Sequence, residues 1–441
     1  MPSATVYQMQ EHGAVEIPAS DLLVEGCLKV FPSVIQKGYF SVHPSAGPLK
    51  LQAGGHIGLI PLNENVVIDV HSKVPIGNLV RLLRISGEPV APLSGFKRDY
   101  ERDSEFFPSL LDLYAQSLCE CVDEVAHQGL LRQYEREEAV TSFPRGRILF
   151  NETVKSIVPF GVTHKVASTW FQRSSDIPVN QCLKYALWLL SSLRQTMGLA
   201  GRSGSRRTDS LLNRAFLKLN GISLDSSLQF LSDPLVTGQV PLPQHRSYYR
   251  EPLNLAKTII GRRAINMQRT ESGVVMTSFV LNMSDIFESY LRNVLSSNIA
   301  DHDVRVLNGN HGAPRGGRQR FFSSGVSNAD ATPDIVLRSS HPGSRPLVIE
   351  VKYKPSPRIE RNDLNQAVSY GASYNCQEVV IVQPLGNSTA PSSGYNELGL
   401  VGSIHVGQYI FNLNAQNIEE EERVFSEMMS RLLKVASMTS L

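Results

Sequence analysis

Asp334 follows a proline and stands sixteen positions before Glu350, which stands two before Lys352, within ATPDIVLRSSHPGSRPLVIEVKYK at residues 331–354. Alternate side chains of a β-strand share a face, so Glu350 and Lys352 project together while Ile349, Val351 and Tyr353 face the other way. If PDIVL is an antiparallel neighbour, the loop RSSHPGSRP lets it fold back and brings Asp334 beside Glu350. Paired carboxylates are the hard oxygen ligands that Mg2+ prefers, with water filling its remaining positions. A cation held there polarises a scissile phosphate and acidifies a water, and Lys352 is placed to orient that water or to neutralise the pentavalent phosphorane. The chemistry on offer is phosphodiester hydrolysis. As exposed ligands the two carboxylates should add little to stability.

A glutamate two before a lysine is also a common solvated strand face, and the spacing alone occurs by chance. The surrounding order gives it weight. Glu288 lies on a helix ahead of the pair, and downstream Gln366 and Tyr370, four apart, share a helix face that lines the same cleft if the helix packs there.

These positions need a scaffold, and the sequence supplies an α/β one. GVVMTSFVLNMSDIFESYLRNVLSSNI reads as a short strand leading into an amphipathic helix carrying Ile286, Phe287, Tyr290, Leu291, Val294 and Leu295. The PD and ExK strands follow, then a helix over RNDLNQAVSYGASY, the apolar strand EVVIVQP, the strand GQYIFNL and a C-terminal helix from NIEEEERVF. The three glutamates of that last segment suit a helix N-terminus. This order predicts an α/β domain over residues 271–441. Residues 1–105 carry short strand signals, EGCLKVF, GYFSVHP, GGHIGLIPL and NVVIDVHSKVP, punctuated by Gly, Pro and Asn, and read as a β-rich module. Residues 106–270 read as mainly helical: one run covers about 106–140, and NQCLKYALWLLSSLRQTMG forms another, entered at Pro178 and Asn180 and ended at Gly198. GRSGSRRTDS, after it, reads as an exposed loop. The fold class expected is a multidomain α+β protein.

The 441 residues carry 43 Lys and Arg against 41 Asp and Glu, so any nucleic-acid surface has to be a local patch. One candidate is HGAPRGGRQR, where Arg315, Arg318 and Arg320 sit in a Gly-rich loop and their guanidinium groups can follow a phosphate backbone, though a solvated loop explains them equally well. Arg145 and Arg147 flank Gly146 in RGRI and suit either a partner contact or a basic turn. Five cysteines without a CxxC pair point to neither a zinc knuckle nor a disulfide framework and fit a reducing cytoplasm. No export signal and no run of eighteen apolar residues is present. A GxxxxGK[ST] phosphate loop and a GxSxG elbow are both missing, which argues against P-loop nucleotide hydrolysis and against a serine nucleophile.

PDIVL, IEVKYK and DLNQAVSY together resemble the PD-(D/E)xK nuclease superfamily. More narrowly, IGLIPLNENVVIDVHSKV with NLVRLL, HQGLLRQYEREEAVTSFPRGRI, DIPVNQCLKYAL and LNMSDIFESYL resemble the McrC family, nuclease subunits of McrBC modified-cytosine restriction systems. The resemblance spans most of the chain outside residues 1–50 and the tail after about 390. It implies a DNA endonuclease subunit using Mg2+, with Asp334 and Glu350 as ligands. It also implies an AAA+ GTPase partner resembling McrB, which binds GTP, reads modified double-stranded DNA and is stimulated by this subunit. Two alternatives stay open: a defence or repair nuclease acting alone or with another motor, and a non-catalytic activator of an AAA+ GTPase.

Overall fold

A computed structural model of the chain describes residues 4–24, 27–43, 48–88, 109–201, 206–265, 267–269, 275–301, 303–312, 316–322, 324–325, 329–341, 343–354, 358–386 and 393–438. Two compact units emerge: residues 1–111 together with 266–441, and residues 112–265.

The first unit opens with strands β1 (Thr5–Gln10), β2 (Ala14–Ile17), β3 (Phe40–His43), β4 (Leu49–Ala53), β5 (His56–Pro61) and β6 (Val66–His71). β4 pairs antiparallel with both β2 and β3. β6 pairs parallel with β1 and antiparallel with β5. β6 is buried at every residue, which is why VVIDVH is mostly apolar rather than alternating. Helix α1 (Ile76–Ser86) follows, burying Leu79, Leu82 and Leu83 and ending at Gly87 in the left-handed region.

The second unit comprises α2 (Leu110–Gln128) from its third residue on, β7 (Gln133–Thr141), β8 (Arg147–Ile148), β9 (Val166–Ser174), α3 (Pro178–Thr196), α4 (Arg206–Lys218) and α5 (Arg250–Ile265). α2 buries Leu113, Leu118, Val122 and Val125 and stops at Gln128, with Gly129 at φ 97°. The helix expected as far as residue 140 is therefore replaced by β7, which pairs antiparallel with β9 from Gln133↔Ser174 to Thr141↔Val166. Pro178 opens α3 as predicted, but Asn180 does not cap it: its amide donates to the carbonyls of Leu131 and Ser175 at 2.9 and 2.7 Å. Residues 206–210 of the expected loop form the first turn of α4, and 202–205 lie outside the described residues. Arg194, fully buried, is neutralised by Asp112 and by Asp209 at 2.9 Å.

The first unit resumes with β10 (Phe279–Asn282), α6 (Met283–Asn298), β11 (Val304–Asn308), β12 (Gln319–Arg320), β13 (Asp330–Ala331), β14 (Ile335–Ser339), β15 (Leu347–Val351), α7 (Arg361–Ser373), β16 (Glu378–Pro384), β17 (Gly394–Val401), β18 (Ile404–Phe411) and α8 (Ile418–Met438). Six strands form one sheet in the order β11-β14-β15-β16-β18-β17, parallel across β15-β16-β18 and antiparallel elsewhere. All six residues expected on the core face of α6 are buried.

Residues 1–105 and 271–441, separate modules on the sequence reading, share this unit. β10 pairs antiparallel with β5 and completes the N-terminal sheet in the order β1-β6-β5-β10. α1 packs against α6, and Arg81 of α1 reaches α8, where it binds Glu422 through two 2.7 Å hydrogen bonds. Glu422 also accepts from Tyr290 of α6 at 2.7 Å, so a buried carboxylate joins three helices.

Candidate active site

β15 lies inside the six-stranded sheet, flanked by β14 and β16, and every one of its residues is buried. Ile335 pairs with Ile349, so one step outward Asp334 comes opposite Glu350 at the end of the β14–β15 ladder. Asp334 Oδ2 accepts the Val351 N–H at 2.7 Å, which locks its side chain across the strand pair. Gly309 makes room for this turn: a Cβ there would lie 1.8 Å from the Pro333 carbonyl oxygen.

Lys352 continues the ladder with one last bond, its N–H donating to the Val382 carbonyl at 2.8 Å. Its Nζ donates to Glu350 Oε1 at 2.8 Å and to Gln366 Oε1 at 3.0 Å, while Gln366 Nε2 donates to the Tyr370 hydroxyl at 3.4 Å. Glu350, Lys352, Gln366 and Tyr370 thus form one hydrogen-bonded chain, with Asp334 opposite Glu350 at its end. Glu288 stands beside it but is paired with Arg292 at 2.8 Å.

The carboxylates are less exposed than expected. Glu350 is 1% exposed, and its Oε2 makes no hydrogen bond among the described residues. Burial, then the charges of Glu350 and Glu288, push Asp334 up to about 8. Burial likewise raises Glu350, against the opposing pull of Lys352. Burial disfavours the Lys352 ammonium, but Glu350, Asp334 and Asp363 outweigh it and the net shift is upward. Ionising both acids here would leave more negative charge than the one ammonium offsets, in a place that holds little water. No group of three His, Cys, Asp or Glu side chains among the described residues is arranged to hold a metal, so a cation here would take two protein carboxylates and complete its shell with water.

Of the arginines proposed for DNA, Arg315 lies outside the described residues. Arg318 and Arg320 are exposed, and Arg318 lies 3.5 Å from Asp330. Arg318 precedes β12 and Arg320 ends it, and the next residue, Phe321, packs edge-on against Tyr370 with ring centroids 6.3 Å apart. Arg145 and Arg147 lie in the second unit, both exposed, and their side chains make no hydrogen bond or ion pair among the described residues. Gly146 between them has φ 69°, and a Cβ there would lie 2.4 Å from the Thr169 carbonyl oxygen, so the turn requires glycine.

Sequence reasoning missed two contacts of the residues that follow Lys352. Lys354 Nζ donates to Asp363 at 2.7 Å and lies 3.0 Å from Glu360, tying the end of the strand to the first turn of α7. Glu11, at the end of β1, accepts the Tyr353 hydroxyl at 2.9 Å. The first pair is nine residues apart and was open to inspection; the second is 342 apart and left no local signal.

The chain has the fold of a chain in the refined half-complex from a tetradecameric assembly of Thermococcus gammatolerans McrB AAA+ hexamers with bound McrC. The two share 15% identity at a TM-score of 0.64, over 97% of this chain and 100% of that one. A cryo-EM structure of the Thermococcus gammatolerans McrBC complex is similar at 16% identity and a TM-score of 0.45, over 68% of this chain and 89% of that one. No curated protein matches the chain. The model of one protein family, McrBC 5-methylcytosine restriction system component, matches residues 51–384, most of the length. The chain therefore belongs to the McrBC 5-methylcytosine restriction system component family and is a subunit of such a system.

Proposed function

We propose that this chain is the DNA-cutting subunit of a GTP-driven McrBC complex and hydrolyses phosphodiester bonds with Mg2+. The observation that carries the reading is the convergence of Asp334, Glu350 and Lys352 at one strand end, with Glu350 Oε2 buried and unpaired among the described residues. Asp334 and Glu350 would hold the cation, which relieves their mutual repulsion. When bound, Mg2+ supplies Lewis-acid polarisation of a phosphate oxygen and a more acidic water. Lys352 holds positive charge beside the position where the phosphorane gains negative charge, and Gln366 and Glu350 fix its direction. A water oxygen bonds to phosphorus as the bond to the leaving sugar oxygen breaks. The water's proton passes to solvent and the leaving oxygen is protonated from solvent. Arg318 and Arg320 are assigned to the DNA backbone.

The partner reading rests on family membership and on the Thermococcus gammatolerans assembly, in which McrB AAA+ hexamers bind McrC. By analogy this chain docks on an AAA+ GTPase that binds GTP and modified double-stranded DNA, and stimulates its turnover. The β7–β9 ribbon, its turns and the short helices Phe150–Ser156 and Val158–Phe160 beside it expose Tyr134, Phe143, Phe150, Phe160 and Phe171 along with Arg145 and Arg147, which suits docking better than a free surface. The test is DNA cleavage by the assembled complex with Mg2+ and GTP. Wild type should cut and Lys352→Ala should lose most of the rate. Cutting in chelator would remove the metal, and cutting by the chain alone without nucleotide would favour a stand-alone nuclease.

A further inference from the structure

Glu11 is fully buried at the corner where β1 and β6 end, and a lone acid in such a place costs desolvation. Its Oε1 accepts from the Lys73 N–H at 2.8 Å, the Ser72 hydroxyl at 3.2 Å and the Tyr353 hydroxyl at 2.9 Å. Its Oε2 has no partner among the described residues. Tyr353 directly follows Lys352, at the point where the β15 ladder makes its last backbone bond. The tyrosine ring meets Phe287, the neighbour of Glu288 on α6, edge-on at 5.6 Å between centroids, and lies 6.0 Å from the His12 ring. Consecutive side chains on extended backbone point in opposite directions, so anchoring residue 353 fixes the direction in which residue 352 points.

From this juxtaposition, and resting on the nuclease reading above, we infer that Glu11 and Tyr353 are a positioning pair. They clamp the strand end that carries Lys352 to the N-terminal sheet and to the helix of Glu288. Neither touches substrate. Their effect is to keep the ammonium in register with the two carboxylates, and loss of such alignment lowers turnover more than it lowers binding.

Tyr353→Phe is nearly isosteric and keeps both ring contacts while removing only the hydroxyl. In the assembled complex, assayed well below the melting midpoint, its kcat for DNA cleavage should fall about tenfold with KM for DNA unchanged. Glu11→Gln, which retains the acceptor oxygen, should keep most of the rate. Glu11→Ala should match Tyr353→Phe, and the double variant should be no slower than either single one. An undiminished kcat in Tyr353→Phe, a change confined to KM, or fully additive losses would each overturn the pair. Lys352→Ala run in parallel separates the two claims: wild-type cleavage by that variant would sink the nuclease reading itself, whereas its inactivity beside a fully active Tyr353→Phe sinks only the clamp.

Discussion

Once both are ionised, Asp334 and Glu350 carry more negative charge than Lys352 neutralises, and that imbalance makes the site sensitive to pH and to cations. Asp334 is raised from the ordinary carboxylate range to about 8, so between about pH 4 and pH 8 the folded chain binds a proton that the unfolded chain has released. Stability from this group is therefore present at low pH and declines as pH rises through that window. Melting in chelator should show the decline, and Mg2+ at pH 8 should reverse it. Asp334→Asn keeps an oxygen for the Val351 N–H and removes the repulsion, so in chelator at pH 8 it should melt higher than wild type and no longer respond to Mg2+. Equal Mg2+ stabilisation of variant and wild type would place the cation elsewhere. These residues were readable because strand alternation and one short loop bring them together. Glu11 was not, because its hydrogen bond to Tyr353 joins residues 342 positions apart.

Helices with a buried stripe were legible element by element, and α6 carries its whole apolar set on the face expected. β7 was not legible, since QYEREEAVT is exposed along most of its length and has no buried face to impose a period of two. Two element-level contacts bear directly on the site. Gly309→Ala pushes a methyl into the Pro333 carbonyl and should destabilise by about 1–3 kcal/mol while displacing Asp334, which denaturant melts and the cleavage rate would report together. Arg81→Ala removes both bonds to Glu422 and should cost about 2 kcal/mol, discounted for an arginine that is 34% exposed. That change should leave Mg2+ binding intact, because Glu422 belongs to the helix junction.

At the scale of the molecule, the compact units cut across the order of the sequence. A fragment ending near residue 270 lacks α6 and β10, so Leu79, Leu82 and Leu83 of α1 lose their cover and the fragment should aggregate. Residues 112–265 form the compact piece to express alone, with a cooperative melt as the expected result. On the full chain, alanine at both Arg145 and Arg147 should abolish stimulation of the GTPase without moving the melting midpoint, since neither side chain has a partner among the described residues to lose. The most direct test of the central claim is a single reaction containing the AAA+ partner, GTP, Mg2+ and 5-methylcytosine DNA, with DNA cleavage and GTP turnover followed together for wild type and Asp334→Asn. The expected result is intact DNA with undiminished GTP turnover in the variant. Cleavage by Asp334→Asn at the wild-type rate would contradict the assignment of the cutting centre to Asp334, Glu350 and Lys352.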